Sequence, residues 1–392
     1  MMELNKLDSL MEQFIDSGVP GCALSVSYKG EVVFEAYKGY ASIEQKKAID
    51  ENTLYRMFSN TKSITVVAAM ILYERGKFLM NDPIEKYLPF FADMKYAYVD
   101  KANTVITAPV SRSIRIKDLF TMTSGLVYGG PGDYVHSEVE KIGGFFPKEN
   151  LTTIEFIEEL SKMPLAFDPG THWNYGLSHD VLGALIEVLS GKSFSEFVRE
   201  EIFKPLKMEK TMFRLSEETK QQLANLYRVE DKGLTVDTSM DWLYEPDVLY
   251  DSGGAGIVSS LKDMSRFTTM MAMGGKLDGE RILGHKTIEL MCQNHLKDEP
   301  LADFKRVSKS SMPWFEGYGY GLGGRTLIDK IEAGSNGSIG EYGWSGAAGT
   351  TILIDAKEEL SVCYMHQLFP LEKSMQGYCH PRLRNTVYSL LD

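Results

Sequence analysis

Strand-like runs stand at the two ends of this chain and are missing from its long middle, an arrangement few folds allow. CALSVSY and EVVFEAY, residues 22–37, flank Lys29-Gly30, which reads as a hairpin turn. At the far end YGYGLGGRTLI precedes TTILIDAKEELSVCYMH, a second hairpin turned around Ala356 to Glu358. From about residue 80 to 250, prolines punctuate helix-length patterns such as TTIEFIEELSKM and HDVLGALIEVLSG. Both ends can bury their strands together in one antiparallel sheet flanked by helices, with a mainly helical domain inserted between. The expected architecture is therefore α/β (α+β), with 1–78 and 250–392 forming the sheet domain and 79–249 the insert. Helices are expected over the Leu4, Leu7, Leu10, Met11, Phe14 stripe, from about Ser59 to Gly76, after GGAGIV, and from about Arg382 to Leu391.

Charge narrows the partners. Lys and Arg total 42 against 54 Asp and Glu, a net charge of −12, which disfavours nucleic acid and anionic membranes. The longest apolar helical run, Ile64 to Tyr73, is about half the ~20 residues a membrane span needs. The acidic N-terminus lacks the basic-then-apolar order of a secretory signal. Cys22, Cys292, Cys363 and Cys379 form no CxxC and read as reduced and buried. These features favour a soluble, cytoplasmic protein; oligomeric state stays open.

Several candidate chemistries fail on context. The seven histidines are scattered, and His172 and His179 lie seven apart across a loop-to-helix boundary, so no metal is expected. Gly319-Tyr-Gly321-Leu-Gly323-Gly324 matches G-x-G-x-x-G but leads into a strand-like run, not a helix that would meet a phosphate. Gly343-Trp-Ser345-Gly-Ala347 approaches a serine elbow, with Asp355 and His366 following in order. A strand follows where the elbow needs a helix.

Ser59-Asn-Thr-Lys62 is chemically sensible. Serine and lysine three apart at a helix start share a face, and the helix end offers N–H groups to an oxyanion. The pattern alone is weak, since about one or two S-x-x-K arise by chance in such a chain. A second copy, Ser259 to Lys262, overlaps a capping box from Ser260 to Asp263. Helix capping fits Ser59 as well as nucleophilic catalysis does.

Two further motifs follow in order. Tyr175 lies in PGTHWNYGLSHDVLGALIEVLSGKSF, and Trp344-Ser-Gly346 in YGWSGAAGT, with IKDLFTMTSGL and SGGAGIVSSLKDMSRF between and around them. Together with Ser59 to Lys62, this set resembles the serine β-lactamase and penicillin-binding-protein superfamily, closest to class C β-lactamases and family VIII carboxylesterases. The resemblance spans nearly the whole chain. It implies a β-lactamase/transpeptidase-like fold whose active site lies in the groove between the domains. It also implies a Ser59 acyl-enzyme, with Lys62 and Tyr175 sharing the role of base. The Ser59 and Ala347 N–H groups would hold the oxyanion, and Gly346 would let the strand approach the substrate. No metal or cofactor is implied. Outside that set, Tyr175 and Trp344 would read as ordinary packing aromatics.

Departures from the pattern bear on substrate. Trp344 stands where the lactamase form has a lysine that helps bind the substrate's carboxylate, and Leu177 stands where an asparagine is common. Both changes favour a neutral short or medium acyl ester and a serine carboxylesterase. The alternatives are a weak β-lactamase or D-amino-acid peptidase, and a non-catalytic ligand-binding relative. Insert aromatics Tyr128, Tyr134, Phe145, Phe146, Trp242 and Tyr244 fit an acyl-pocket wall or plain core equally.

Overall fold

Lys29 and Gly30 both adopt positive φ, 53° and 85°, the backbone that closes a two-residue hairpin with the twist its strands require. This turn joins β1 (Gly21–Tyr28) to β2 (Glu31–Ser42) in the computed structural model, which describes residues 4–391. A short β3 (Lys47–Ala48) edges the sheet beyond β2. The C-terminal strands are β4 (Tyr318–Tyr320), β5 (Arg325–Leu327), β6 (Tyr342–Ser345), β7 (Thr351–Asp355) and β8 (Leu360–Met365). The sheet order is β4-β5-β6-β7-β8-β1-β2-β3. Both chain ends thus share one sheet, joined where β1 pairs antiparallel with β8 from Ala23↔Met365 to Tyr28↔Leu360.

Alternation sends successive side chains to opposite faces. Leu24, Val26, Leu353, Val362 and Tyr364 pack against α1 (Asn5–Asp16) and α6 (Gln376–Tyr388). Ala23, Ile352, Ile354, Cys363 and Met365 face the main core, with α2 (Thr61–Glu74) and α4 (Leu261–Ala272). Polar groups on that inner face are satisfied across the layer: Ser25 Oγ lies 2.8 Å from Ser265 Oγ on α4. The run Ile64 to Leu72 on α2 is buried on every side, which explains its unbroken apolar sequence. Ser260 caps α4 by accepting from the Asp263 N–H, so the second S-x-x-K is a helix start. The glycine-rich 319–324 segment is the β4–β5 hairpin.

The intervening region holds α3 (Ser178–Ser190) and shorter helices, among them Tyr134–Lys141 and Thr153–Ser161. It also contains two hairpins absent from a helical reading: Lys95–Val99 with Val105–Pro109, and Tyr227–Glu230 with Gly233–Val236. They are short and largely exposed, so no apolar run announces them. Between these regions and α6, α5 (Asp298–Ser311) packs beside β4. The final helix starts at Gln376, earlier than expected, because Pro381 falls in its first two turns without ending it.

Four histidines are held below their ordinary pKa. Burial dominates in each case, and Lys62 adds to the effect at His179, Arg325 and Arg384 at His380, and Lys117 at His295. His366 is pushed down to about 4, bonded between the Ser374 carbonyl and the Tyr364 hydroxyl. Below the unfolded value near 6.5 the unfolded chain binds protons that the folded state refuses, so stability is complete above pH 6.5 and falls toward pH 4. His366 alone should remove roughly 3 kcal/mol between pH 7 and pH 4. Urea unfolding of wild type and His366→Gln across that range checks this: the variant should lose part of the acid slope, and equal slopes would contradict it.

Candidate active site

A short strand, Leu54–Arg56, leads to Phe58, whose φ of 44° lies in the left-handed region that phenylalanine rarely adopts. The chain then makes one 3₁₀ turn, Phe58–Asn60, and enters α2. Ser59 sits in that turn, half-buried, one turn before the wholly buried Lys62. Lys62 Nζ donates 3.3 Å to Ser59 Oγ, 2.9 Å to Tyr128 Oη and 2.8 Å to the Gly254 carbonyl. Three polar groups thus surround this one nitrogen. The same Nζ lies 4.7 Å from the centroid of the Tyr175 ring.

The Gly254 carbonyl is itself held. Asp180 on α3, 1% exposed, accepts from Tyr250 Oη at 2.6 Å, Ser252 Oγ at 2.7 Å and the Gly254 N–H at 3.1 Å. A buried carboxylate with three donors is a rigid anchor, so it fixes the 250–254 segment against Lys62.

Tyr175 and Trp344, the expected partner in the base and the expected substrate contact, touch each other. The Trp344 indole N–H donates to Tyr175 Oη at 2.9 Å, and the two rings stack with centroids 5.4 Å apart. Tyr128 is the phenol whose hydroxyl touches Lys62, and burial pushes it well above its ordinary range. The sequence reading placed Tyr128 only among possible wall residues; its signal was its position just after the TMTSGL phrase.

The 346–350 turn docks on the serine segment. Thr350 Oγ1 donates to the Met57 carbonyl at 3.2 Å and accepts from Asn60 Nδ2 at 2.9 Å. A Cβ on Gly346 would stand 2.4 Å from the Met57 carbonyl, so the close approach that glycine permits here is to the chain before Ser59. Ser59, Trp344 and Ala347 line one cavity of about 400 Å³. Phe58, Phe146, Met240, Phe315, Phe369 and Leu371 contribute to its walls, and no charged side chain lines it among the described residues. Tyr128 and Phe145 are also wall residues and stack at 4.3 Å. Trp242 packs behind Phe146, Tyr244 lies near Arg56, and Tyr134 lines a different depression.

The other candidates are not brought together. Ser345 Oγ pairs with Thr351, Asp355 accepts from Tyr388 Oη and the Ser338 N–H, and His366 is bonded to Ser374 and Tyr364. Among the described residues no hydrogen-bond chain joins the three. His172 bonds Asp303 at 2.8 Å in a group with Glu299, but Asp303 also accepts from Arg306 and the Trp173 N–H. A cation already fills that group's electrostatic need. His179 is buried elsewhere, beside Gly323 and Val66.

The fold and the relatives of this chain are those of a serine hydrolase of the β-lactamase type. The Beta-lactamase family model matches residues 7–377, and the chain belongs to that family. Esterase EstB of Burkholderia gladioli is 26% identical over 98% of this chain and 95% of its own length. A putative D-alanyl-D-alanine carboxypeptidase of Escherichia coli K12 is 26% identical over 92% of this chain and 81% of its own. Among solved structures, EstCE1, described as a hydrolase with promiscuous acyltransferase activity, superposes with a TM-score of 0.81 at 24% identity, covering 98% of both chains. No helix among the described residues is long and apolar enough to cross a membrane.

Proposed function

We propose that the protein is a serine carboxylesterase acting on neutral, short or medium acyl esters. Ser59 Oγ attacks the ester carbonyl while its proton passes to the Lys62–tyrosine set. The oxyanion is held by the N–H groups of Ser59 and Ala347, and collapse expels the alcohol, which takes the proton. Water then repeats the sequence on the acyl-enzyme and releases the acid. The groove lies between the sheet domain, 1–78 and 250–392, and the insert, 79–249. Four free, buried cysteines accord with a cytoplasmic location.

One observation carries the substrate assignment: among the described residues the cavity beside Ser59 is lined mainly by aromatic and aliphatic groups, with a few uncharged polar ones and no charged side chain. A β-lactam or a D-alanyl peptide brings a carboxylate, and placing that charge against apolar walls without a partner is costly. An uncharged ester incurs no such cost. The similarity to an esterase supports the same reading.

Parallel assays of p-nitrophenyl butyrate, a chromogenic cephalosporin and a D-alanyl-D-alanine peptide test it. Ester kcat/KM should exceed the other two by about a hundredfold or more. Comparable cephalosporin or peptide turnover would favour the lactamase or peptidase reading. Binding of esters with no turnover would favour a non-catalytic relative.

A further inference from the structure

Among the described residues, one aromatic ring in the wall of the catalytic cavity stands open. The other rings there are buried or half-buried, whereas Phe145 is 49% exposed. Leaving so large an apolar group in water forgoes the stabilisation that burial would bring. A single exposed apolar residue is ordinary on a protein surface. Phe145 is set apart by how it is held and by what it touches.

The backbone fixes the ring in place. Phe145 follows Gly144 and Tyr128 precedes Gly129, and the two glycines meet: a Cβ on Gly129 would stand 2.5 Å from the Gly144 Cα. Only glycine permits so close an approach. The contact brings Tyr128 and Phe145 side by side, with ring centroids 4.3 Å apart and planes 22° apart. Tyr128 thus covers one face of Phe145, and the opposite face and the ring edge remain for the cavity. A ring already held in one orientation loses little freedom when a ligand binds it.

Tyr128 ties this ring to the chemistry. Its hydroxyl lies 2.9 Å from Lys62 Nζ, the nitrogen that reaches Ser59. In the serine-esterase reading, on which this inference rests, the leaving alcohol takes its proton from the Lys62–tyrosine set. The alcohol oxygen therefore sits against that set, and the body of the alcohol extends past it. Tyr175, the other phenol, is stacked on Trp344, which is 3% exposed, so the open ring beside the proton donors is Phe145. Ala347, on the oxyanion side, packs instead in the cluster of Phe58, Met240 and Phe369.

We propose that Phe145 is a specificity determinant that stacks on a flat aromatic group in the alcohol portion of the ester, so the preferred substrates are esters of aryl-bearing alcohols. Offset rings attract one another beyond the apolar area they bury, through the negative face and positive edge of each π-system. A saturated ring of similar size keeps the burial and loses that attraction.

The test compares benzyl butyrate with cyclohexylmethyl butyrate, and ethyl phenylacetate with ethyl cyclohexylacetate, in wild type, Phe145→Leu, Phe145→Met and Phe145→Tyr. The first pair varies the alcohol and the second the acyl group. The benzyl-to-cyclohexylmethyl ratio of kcat/KM should be about threefold or more higher in wild type than in Phe145→Leu and Phe145→Met. Phe145→Tyr keeps the ring and should hold the wild-type ratio. The phenylacetate-to-cyclohexylacetate ratio should be the same in all four proteins. Comparing one ratio between proteins cancels the differing reactivity of the alcohols and any general damage to the loop, and two ring deletions guard against one failing to fold. An alcohol ratio that survives deletion of the ring overturns the inference, as does an acyl ratio that falls as far or further. Turnover of p-nitrophenyl butyrate without turnover of benzyl butyrate overturns this inference alone. Failure of wild type to hydrolyse any of these esters overturns the esterase reading and this inference with it.

Discussion

Ser59→Ala should lower p-nitrophenyl butyrate turnover by about 10³-fold or more while leaving the fold intact. The residue is half-buried and lines the cavity, and its hydroxyl accepts a hydrogen bond from Lys62. Removing one oxygen leaves Lys62 Nζ with Tyr128 and the Gly254 carbonyl, so the buried nitrogen keeps two partners and the melting temperature should move little. The paired measurement, activity and thermal unfolding on the same preparation, separates lost chemistry from lost structure. Turnover surviving in Ser59→Ala would point to a different nucleophile, and the isolated environment of Ser345 gives that serine no base with which to act.

Lys62→Met should fall nearly as far, by about 10²–10⁴-fold, with its thioether taking up much of the vacated buried space. The nitrogen it removes is the single atom that touches the serine, the Tyr128 phenol and the Gly254 carbonyl together. Groups that act as one unit are not additive, so Ser59→Ala/Lys62→Met should be no slower than the slower of the two single variants. A double variant slower by the product of the two effects would mean that Lys62 serves another step. Tyr128→Phe and Tyr175→Phe in the same assay apportion the base. The first deletes the hydroxyl on Lys62, and the second deletes the hydroxyl on Trp344.

The sheet was legible because strand periodicity is local: the residues of β1 and β8 that alternate between two cores do so in their own sequence. The serine helix was legible for the same reason, since an unbroken apolar run leaves a helix little choice but the interior. What stayed hidden depends on meetings between distant segments. Nothing near Tyr128 says that its hydroxyl reaches Lys62, and nothing near Trp344 says that its N–H goes to Tyr175. Asp180 reads as an ordinary first-turn helix acid, yet its three partners come from the 250–254 segment. The last helix begins at Gln376, ahead of its expected start near Arg382, with Pro381 held inside it by its packing against the sheet.

The pairing of β1 with β8 also fixes an order of events during synthesis. The β1–β2 hairpin emerges from the ribosome early, with the backbone groups along the other side of β1 unmatched. Their partner strand is translated only near residue 360, after the whole insert and the serine helix have been made. Throughout that interval the nascent chain carries an open sheet edge, the feature most prone to pair with a neighbouring polypeptide. Non-local pairing of this kind is slow to form, because the ends must find each other across everything between them. Shielding that edge while the last strands are being made is thus a requirement that the order of synthesis places on the folding chain.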